Sequence, residues 1–199
     1  MYHREMQDLT AFILAGGKST RMGADKAFLE WQGQTLLERA LELAHTVTQQ
    51  VALVGSAEKL ASYGRVVEDV YRERGPLGGI HAALRATTTD LNLVIGVDMP
   101  FLRSELLHFL VEQARAHGTA LVTVPRSGEG WQPLCAVYRQ GFRTLAESAL
   151  KRGENKIDSL FAGTQTCIVE QSDLEQKGFA AGVFRNLNTP GELEQARQG

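Results

Sequence analysis

Short apolar runs alternate along the chain with longer amphipathic ones. Ala11–Leu14, Val51–Val54, Arg65–Glu68, Leu91–Val97 and Ala120–Pro125 read as strands, and Thr35–Thr48, Leu77–Ala86 and Leu106–Ala116 as helices, because run length and apolar spacing separate the two periods. That rhythm predicts an α/β fold of βαβ units around a largely parallel sheet. Leu91-Asn92-Leu93-Val94-Ile95-Gly96-Val97 is almost wholly apolar, as expected of a central strand covered on both faces. Thr35-Leu36-Leu37-Glu38 and Thr189-Pro190-Gly191-Glu192 each place a hydroxyl three positions before a glutamate, the spacing of a capping box at a helix start. After Ser127 the pattern loosens: strands are expected at Leu134–Tyr138 and Thr166–Glu170, and helices at Phe142–Lys151 and Thr189–Arg197.

No linker, repeat or low-complexity tract interrupts this pattern, so one domain over residues 1–199 is expected, a length that sustains one core. Composition changes the picture little: 43% hydrophobic and 22% charged residues suit an ordinary globular chain. The balance of 21 basic and 23 acidic residues leaves a net charge of −2, so nothing draws the whole molecule to nucleic acid or to an anionic membrane. Any anion has to be met locally. No apolar run approaches the roughly 18 residues of a spanning helix, and Cys135 and Cys167 show neither metal-ligand nor disulfide spacing. Both cysteines are expected in the core, and the cytoplasm is the expected compartment.

The candidate chemistry lies in three loops that follow predicted strands. The first, Leu14-Ala15-Gly16-Gly17-Lys18-Ser19-Thr20-Arg21-Met22-Gly23-Ala24-Asp25-Lys26, combines glycines that let backbone N–H groups reach phosphate oxygens with cations that offset their charge. It is no Walker A loop, because Phe12 stands where that motif requires glycine, and it holds no Gly-x-Gly-x-x-Gly. A solvated turn with incidental charges is the plainer alternative. The second loop carries Asp69 and Arg74-Gly75-Pro76-Leu77-Gly78-Gly79, with proline placed for the start of a helix and two glycines that permit close backbone approach. The third, Asp98-Met99-Pro100-Phe101-Leu102, puts a carboxylate at the end of the most apolar strand. Mg²⁺ takes one or two carboxylates and completes its shell with phosphate oxygens and water, so Asp98 with help from Asp69 would be adequate. Against this, Asp98 also suits a turn before Pro100, and Asp69 sits in a charged run typical of solvated loops. Right-handed crossovers would bring all three loops to one sheet edge. His45, His81, His108 and His117 fall in predicted helices and share no ligand spacing, and Trp31 and Trp131 are expected to pack rather than stack on a ligand.

The first loop, with Asp25-Lys26-Ala27, resembles the signature of molybdenum cofactor guanylyltransferases, the MobA family. Gly75-Pro76-Leu77-Gly78-Gly79, Val97-Asp98-Met99-Pro100, Gln132-Pro133-Leu134 and Asn186-Leu187-Asn188-Thr189-Pro190-Gly191-Glu192-Leu193 are similar to further blocks of that family in the same order. The resemblance implies a three-layer Rossmann-like nucleotidyltransferase fold. It also implies transfer of GMP from Mg-GTP to the terminal phosphate of molybdenum-loaded molybdopterin, with release of pyrophosphate. Carried over by position, Leu14, Ala15 and Gly16 would border the nucleotide, and Gly17, Lys18 and Gly78 are expected beside it from the loop chemistry above. Lys26 and Arg21 would meet its phosphates, Asp69 would touch it, and Asp98 would hold Mg²⁺. Asn186 and Asn188 would face the pterin. The implied partners are molybdopterin-handling and molybdoenzyme-delivery proteins. One departure stands out: Val54-Gly55-Ser56 lacks the asparagine that some relatives place near guanosine. Guanine would be selected by backbone carbonyls of the first loop accepting from its N1–H and exocyclic amine. CTP on the same acceptor, another triphosphate on a small phosphorylated acceptor, a nucleotide sensor without turnover and a structural module are the competing readings.

Overall fold

In the computed structural model, which describes residues 8–16, 25–71, 74–128, 130–187 and Glu192, strand β1 (Leu9–Leu14) buries all six of its residues. Ala11 and Ile13 pack into one hydrophobic cluster, and Phe12 and Leu14 into another on the opposite side of the sheet. Alternation across a strand that is covered on both faces is why its sequence is nearly continuous in apolar residues. Strand β6 (Leu91–Gly96) repeats this, sending Leu93 and Ile95 to the first cluster and Val94 to the second. Helices α1 (Leu36–His45) and α4 (Ser104–Ala116) cover the first face, and α3 (Gly75–Ala86) and α5 (Phe142–Lys151) the second. The result is the expected three-layer, Rossmann-like α/β architecture.

Hydrogen bonding orders the main sheet as β10 (Thr166–Glu170), β7 (Val122–Ser127), β9 (Cys135–Arg139), β6, β1, β4 (Val51–Val54) and β5 (Val66–Val67), with β8 (Gly130–Trp131) beside β7. From β1 the chain runs outward through β4 and β5, then returns across the sheet to β6 on the other side of β1. Strand order therefore reverses between β1 and β6, where such sheets bind ligands at the carboxyl ends of their strands. Strand β9 is antiparallel to both neighbours, since the connection over residues 128–134 is too short for a crossover. Its reversed direction brings Gln132–Leu134 to that same edge, where the Gly96 N–H donates to the Leu134 carbonyl at 2.8 Å.

The capping box at the start of α1 forms: the Glu38 N–H donates to the Thr35 hydroxyl at 3.2 Å and the Thr35 N–H to the Glu38 carboxylate at 2.8 Å. That hydrogen bond also holds the Glu38 carboxyl below its usual range. Several small elements carried no apolar period and were not expected. These are the hairpin of β2 (Glu30–Trp31) and β3 (Gln34–Thr35), the short helices α2 (Ala57–Leu60), α6 (Asp158–Phe161) and α7 (Gln171–Gln176), and a 3₁₀ turn at Lys26–Phe28. The helix expected at Thr189–Arg197 lies outside the described residues except for Glu192. His117 caps the C-terminus of α4 rather than lying within it. Cys135 is buried as expected, and burial pushes its thiol far up in pKa, whereas Cys167 is only half-buried on the edge strand β10.

Candidate functional site at the strand switch

The ends of β1 and β6 are joined directly, with the Val97 N–H donating to the Leu14 carbonyl at 3.1 Å. Beyond β1, the Ala15 N–H donates to the Val54 carbonyl at 3.0 Å, holding the first loop against β4. Gly16 follows and is exposed. A Cβ there would stand 3.3 Å from the Gly55 Cα, so the two glycines let the loops after β1 and β4 touch backbone to backbone. Gly17, Lys18 and Arg21 lie outside the described residues.

The chain resumes at Asp25, whose carboxylate accepts from the Ala27 N–H at 3.3 Å and thereby caps the 3₁₀ turn that carries Lys26. The other Asp25 oxygen accepts from the Lys59 ammonium at 2.9 Å, and this partner raises the lysine's pKa. Two anchors thus hold Asp25 and orient its neighbour. Lys26 Nζ lies 3.5 Å from Asp98 Oδ2, with 22% and 21% of the two side chains exposed. An ion pair of that length and exposure leaves both groups reachable from solvent. Gly96 makes room for the carboxylate: a Cβ at that position would stand 2.9 Å from Asp98 Oδ1.

The loop after Asp98 is held from both sides. The Leu187 N–H donates to the Asp98 carbonyl at 2.9 Å, bringing the exposed Asn186 beside that loop. From α1, the Arg39 Nε donates to the Pro100 carbonyl at 2.7 Å. Arg185 lies over the Phe101 ring, its guanidinium carbon 5.7 Å from the centroid. Asn188 lies outside the described residues.

Asp69 is placed differently from the expectation of help at a metal. Strands β5 and β6 are separated by β4 and β1, which is three strand spacings, or about 14 Å. The Asp69 carboxylate instead accepts from the Tyr71 N–H at 2.8 Å, an Asx turn within its own loop. The close approach expected at Gly78 and Gly79 is likewise to the chain itself. A Cβ on Gly78 would stand 2.7 Å from Asp69 Oδ2 and 2.9 Å from the Tyr71 carbonyl, and one on Gly79 would stand 3.0 Å from Leu14. Among the described residues no group of three His, Cys, Asp or Glu side chains could share a metal. Asp98 presents its carboxylate to Lys26 at the switch point. Arg39 and the bracing of Asp25 were missed by sequence reasoning, because a lone arginine on an amphipathic helix reads as a solvated side chain and only the fold reveals its acceptor.

Residues 11–172 match the family described as MobA-like NTP transferase domain. A probable molybdenum cofactor guanylyltransferase of Pelotomaculum thermopropionicum is 36% identical over 194 residues, covering 96% of this chain and 93% of that protein. Its counterpart in Natronomonas pharaonis is 33% identical and covers 97% of this chain and 98% of that protein. Among solved structures, the molybdopterin-guanine dinucleotide biosynthesis protein A of Archaeoglobus fulgidus superposes with a TM-score of 0.82 at 28% identity, covering 95% of this chain and 97% of that one.

Proposed function

The chain belongs to the MobA-like NTP transferase family, and we propose that as a single domain it transfers GMP from GTP to the terminal phosphate of molybdenum-loaded molybdopterin. The observation that carries this reading is the meeting of Lys26 and Asp98 at 3.5 Å, both half-buried, where the strand order reverses. The activity named for relatives that align with almost the whole chain supplies the substrates.

An acceptor phosphate oxygen attacks the α-phosphorus of GTP in line. The new P–O bond forms as the bond to the bridging oxygen breaks, and pyrophosphate leaves with its electron pair. The acceptor is largely ionised near neutral pH because its second pKa is near 6, so no protein base is required. Catalysis then rests on positioning and on charge.

Asp98 suits a Mg²⁺ ion. A single, partly exposed carboxylate at a strand end matches a cation that draws its remaining ligands from phosphate and water. When bound, that ion supplies charge neutralisation across the triphosphate. Lys26 would exchange its Asp98 partner for a phosphate oxygen, and Gly17, Lys18 and Arg21, which lie outside the described residues, are assigned to the same phosphates by their chemistry. Leu14, Ala15 and Gly16 would border the nucleotide on the β1 side, Asp69 with Gly78 packed against it would form the wall on the β5 side, and Asn186, together with Asn188 outside the described residues, is assigned to the pterin. The product would pass to molybdoenzyme-delivery proteins in the cytoplasm.

Pyrophosphate release with GTP, CTP, ATP and UTP, each with Mg²⁺ and molybdenum-loaded molybdopterin, tests the reading. GTP is expected to dominate. Preference for CTP would overturn the guanylyl assignment, and nucleotide binding without release would overturn the enzymatic one.

A further inference from the structure

We propose that Arg39, on the helix after the first hairpin, is a positioning residue that fixes the Asp98 loop for metal binding; this rests on the assignment of Asp98 to Mg²⁺. Pro100 fixes its own φ, and the loop's carbonyls show how the rest of Asp98-Met99-Pro100-Phe101 is held. The Asp98 carbonyl accepts from the Leu187 N–H at 2.9 Å, the Met99 carbonyl from the Leu102 N–H at 3.3 Å, and the Pro100 carbonyl from Arg39 Nε at 2.7 Å. Two of these bonds reach across the fold, and Arg39 supplies the one that comes from a side chain.

Packing seats Met99 and Leu102 in the core, each 5% exposed, and leaves the Pro100 carbonyl to be tied by Arg39. Behind the loop, between α1 and the end of β6, lies a cavity of about 250 Å³ lined in part by Arg39, Glu42, Thr46, Met99, Pro100 and Leu102. This cleft borders the Pro100 side of the loop, and there the tie to the rest of the fold is the Arg39 hydrogen bond. Glu42, one turn further along the helix, accepts from the Gln34 amide at 2.7 Å. The planar guanidinium aims the Arg39 Nε–H at the Pro100 carbonyl. A metal held by one carboxylate depends strongly on how that carboxylate is presented, and loss of an orienting partner typically costs about 10–100-fold in metal affinity or activity.

The test uses Arg39→Met, which keeps an unbranched stem without the donor, and Arg39→Lys, which retains a charged donor. Mn²⁺ binding in the presence of GTP, read by the electron paramagnetic resonance of free Mn²⁺, needs no acceptor substrate. In Arg39→Met the metal affinity is expected to fall about 10-fold or more, with kcat falling alongside it and KM for GTP little changed. Arg39→Lys is expected to recover part of both losses. The proposal is overturned if folded Arg39→Met binds Mn²⁺ as wild type does, whatever its turnover, or if Arg39→Lys is no better than Arg39→Met. Should Arg39→Met not fold, wild-type Mn²⁺ affinity in Arg39→Lys together with a lowered kcat overturns it, and weakened Mn²⁺ affinity supports it. Failure of the wild-type chain to transfer GMP would overturn the functional reading and leave the Mn²⁺ comparison intact.

Discussion

The two ends of strands β1 and β6 place polar groups in opposite circumstances. At their starting edge, Thr10, Thr48, Thr87, Thr89 and Asn92 are each at most 7% exposed. The Thr10 and Thr89 hydroxyls lie 2.8 Å apart and those of Thr87 and Thr89 3.0 Å apart. Thr48 donates to the Leu9 carbonyl at 2.8 Å, and the Asn92 amide donates to the Asp90 carbonyl at 3.0 Å. At the finishing edge, Lys26 and Asp98 meet at 3.5 Å and remain about one-fifth exposed. Buried neutral groups that satisfy one another have nothing left to offer a ligand and hold the sheet together. Charged groups that still see solvent, on loops tied down by backbone contacts, retain the capacity to bind.

The largest expected effect is at the finishing edge. Asp98→Asn should lower kcat by about 100–1000-fold, the scale of losing a strong electrostatic contact in the transition state, while its stability in urea stays within about 1 kcal/mol of wild type because the ion pair is partly exposed. Wild-type turnover in the folded variant would erase the contrast. At the starting edge the reverse is expected. Thr89→Val leaves the Thr10 hydroxyl and the Leu91 carbonyl without a partner supplied by Thr89 and should cost about 1–3 kcal/mol of stability, with turnover of the folded protein unchanged. Lost turnover at full stability would show that the hydroxyl network serves the site.

The smallest effect concerns His81, which breaks the rule of satisfied burial. The residue is 3% exposed, its ring packs edge-on to Tyr71 at 5.1 Å, and its Nδ1 has no hydrogen-bond partner among the described residues. Burial lowers its pKa from the ordinary 6.5, with Arg85 and Arg143 acting in the same direction and Glu147 and Asp69 opposing them. The folded state therefore resists protonation that the unfolded chain accepts, so stability should fall as pH drops below about 6.5. Urea midpoints between pH 7.5 and 5.5 should decline less in His81→Phe than in wild type. Parallel slopes would mean that His81 does not set this dependence.

Much of this was legible because it depends on local periodicity. The apolar run from Leu91 to Val97, the capping box at Thr35 and Glu38, and the glycine-rich first loop all carry their signals within a few residues. Asp98 was identifiable as a carboxylate leaving the most apolar strand. The roles of Gly78 and Asp69 were harder to read, since glycine marks close approach without naming what approaches. In the fold, Asp69 and Tyr71 fill the space beside Gly78, and Tyr71 occupies an oxygen of Asp69.

The sequence by itself determined the α/β class, the order of the longer strands and helices, and the choice of Lys26 and Asp98 as candidates, because hydrophobic period and residue type are local properties. Tertiary structure decided the reversal of strand order between β1 and β6, the antiparallel β9 that brings Leu134 beside Gly96, and the clamping of the Asp98 loop by Arg39 and Leu187. These joins link residues far apart in the chain, and no periodicity encodes which distant donor meets which carbonyl. Only the packed layers bring them within hydrogen-bond reach.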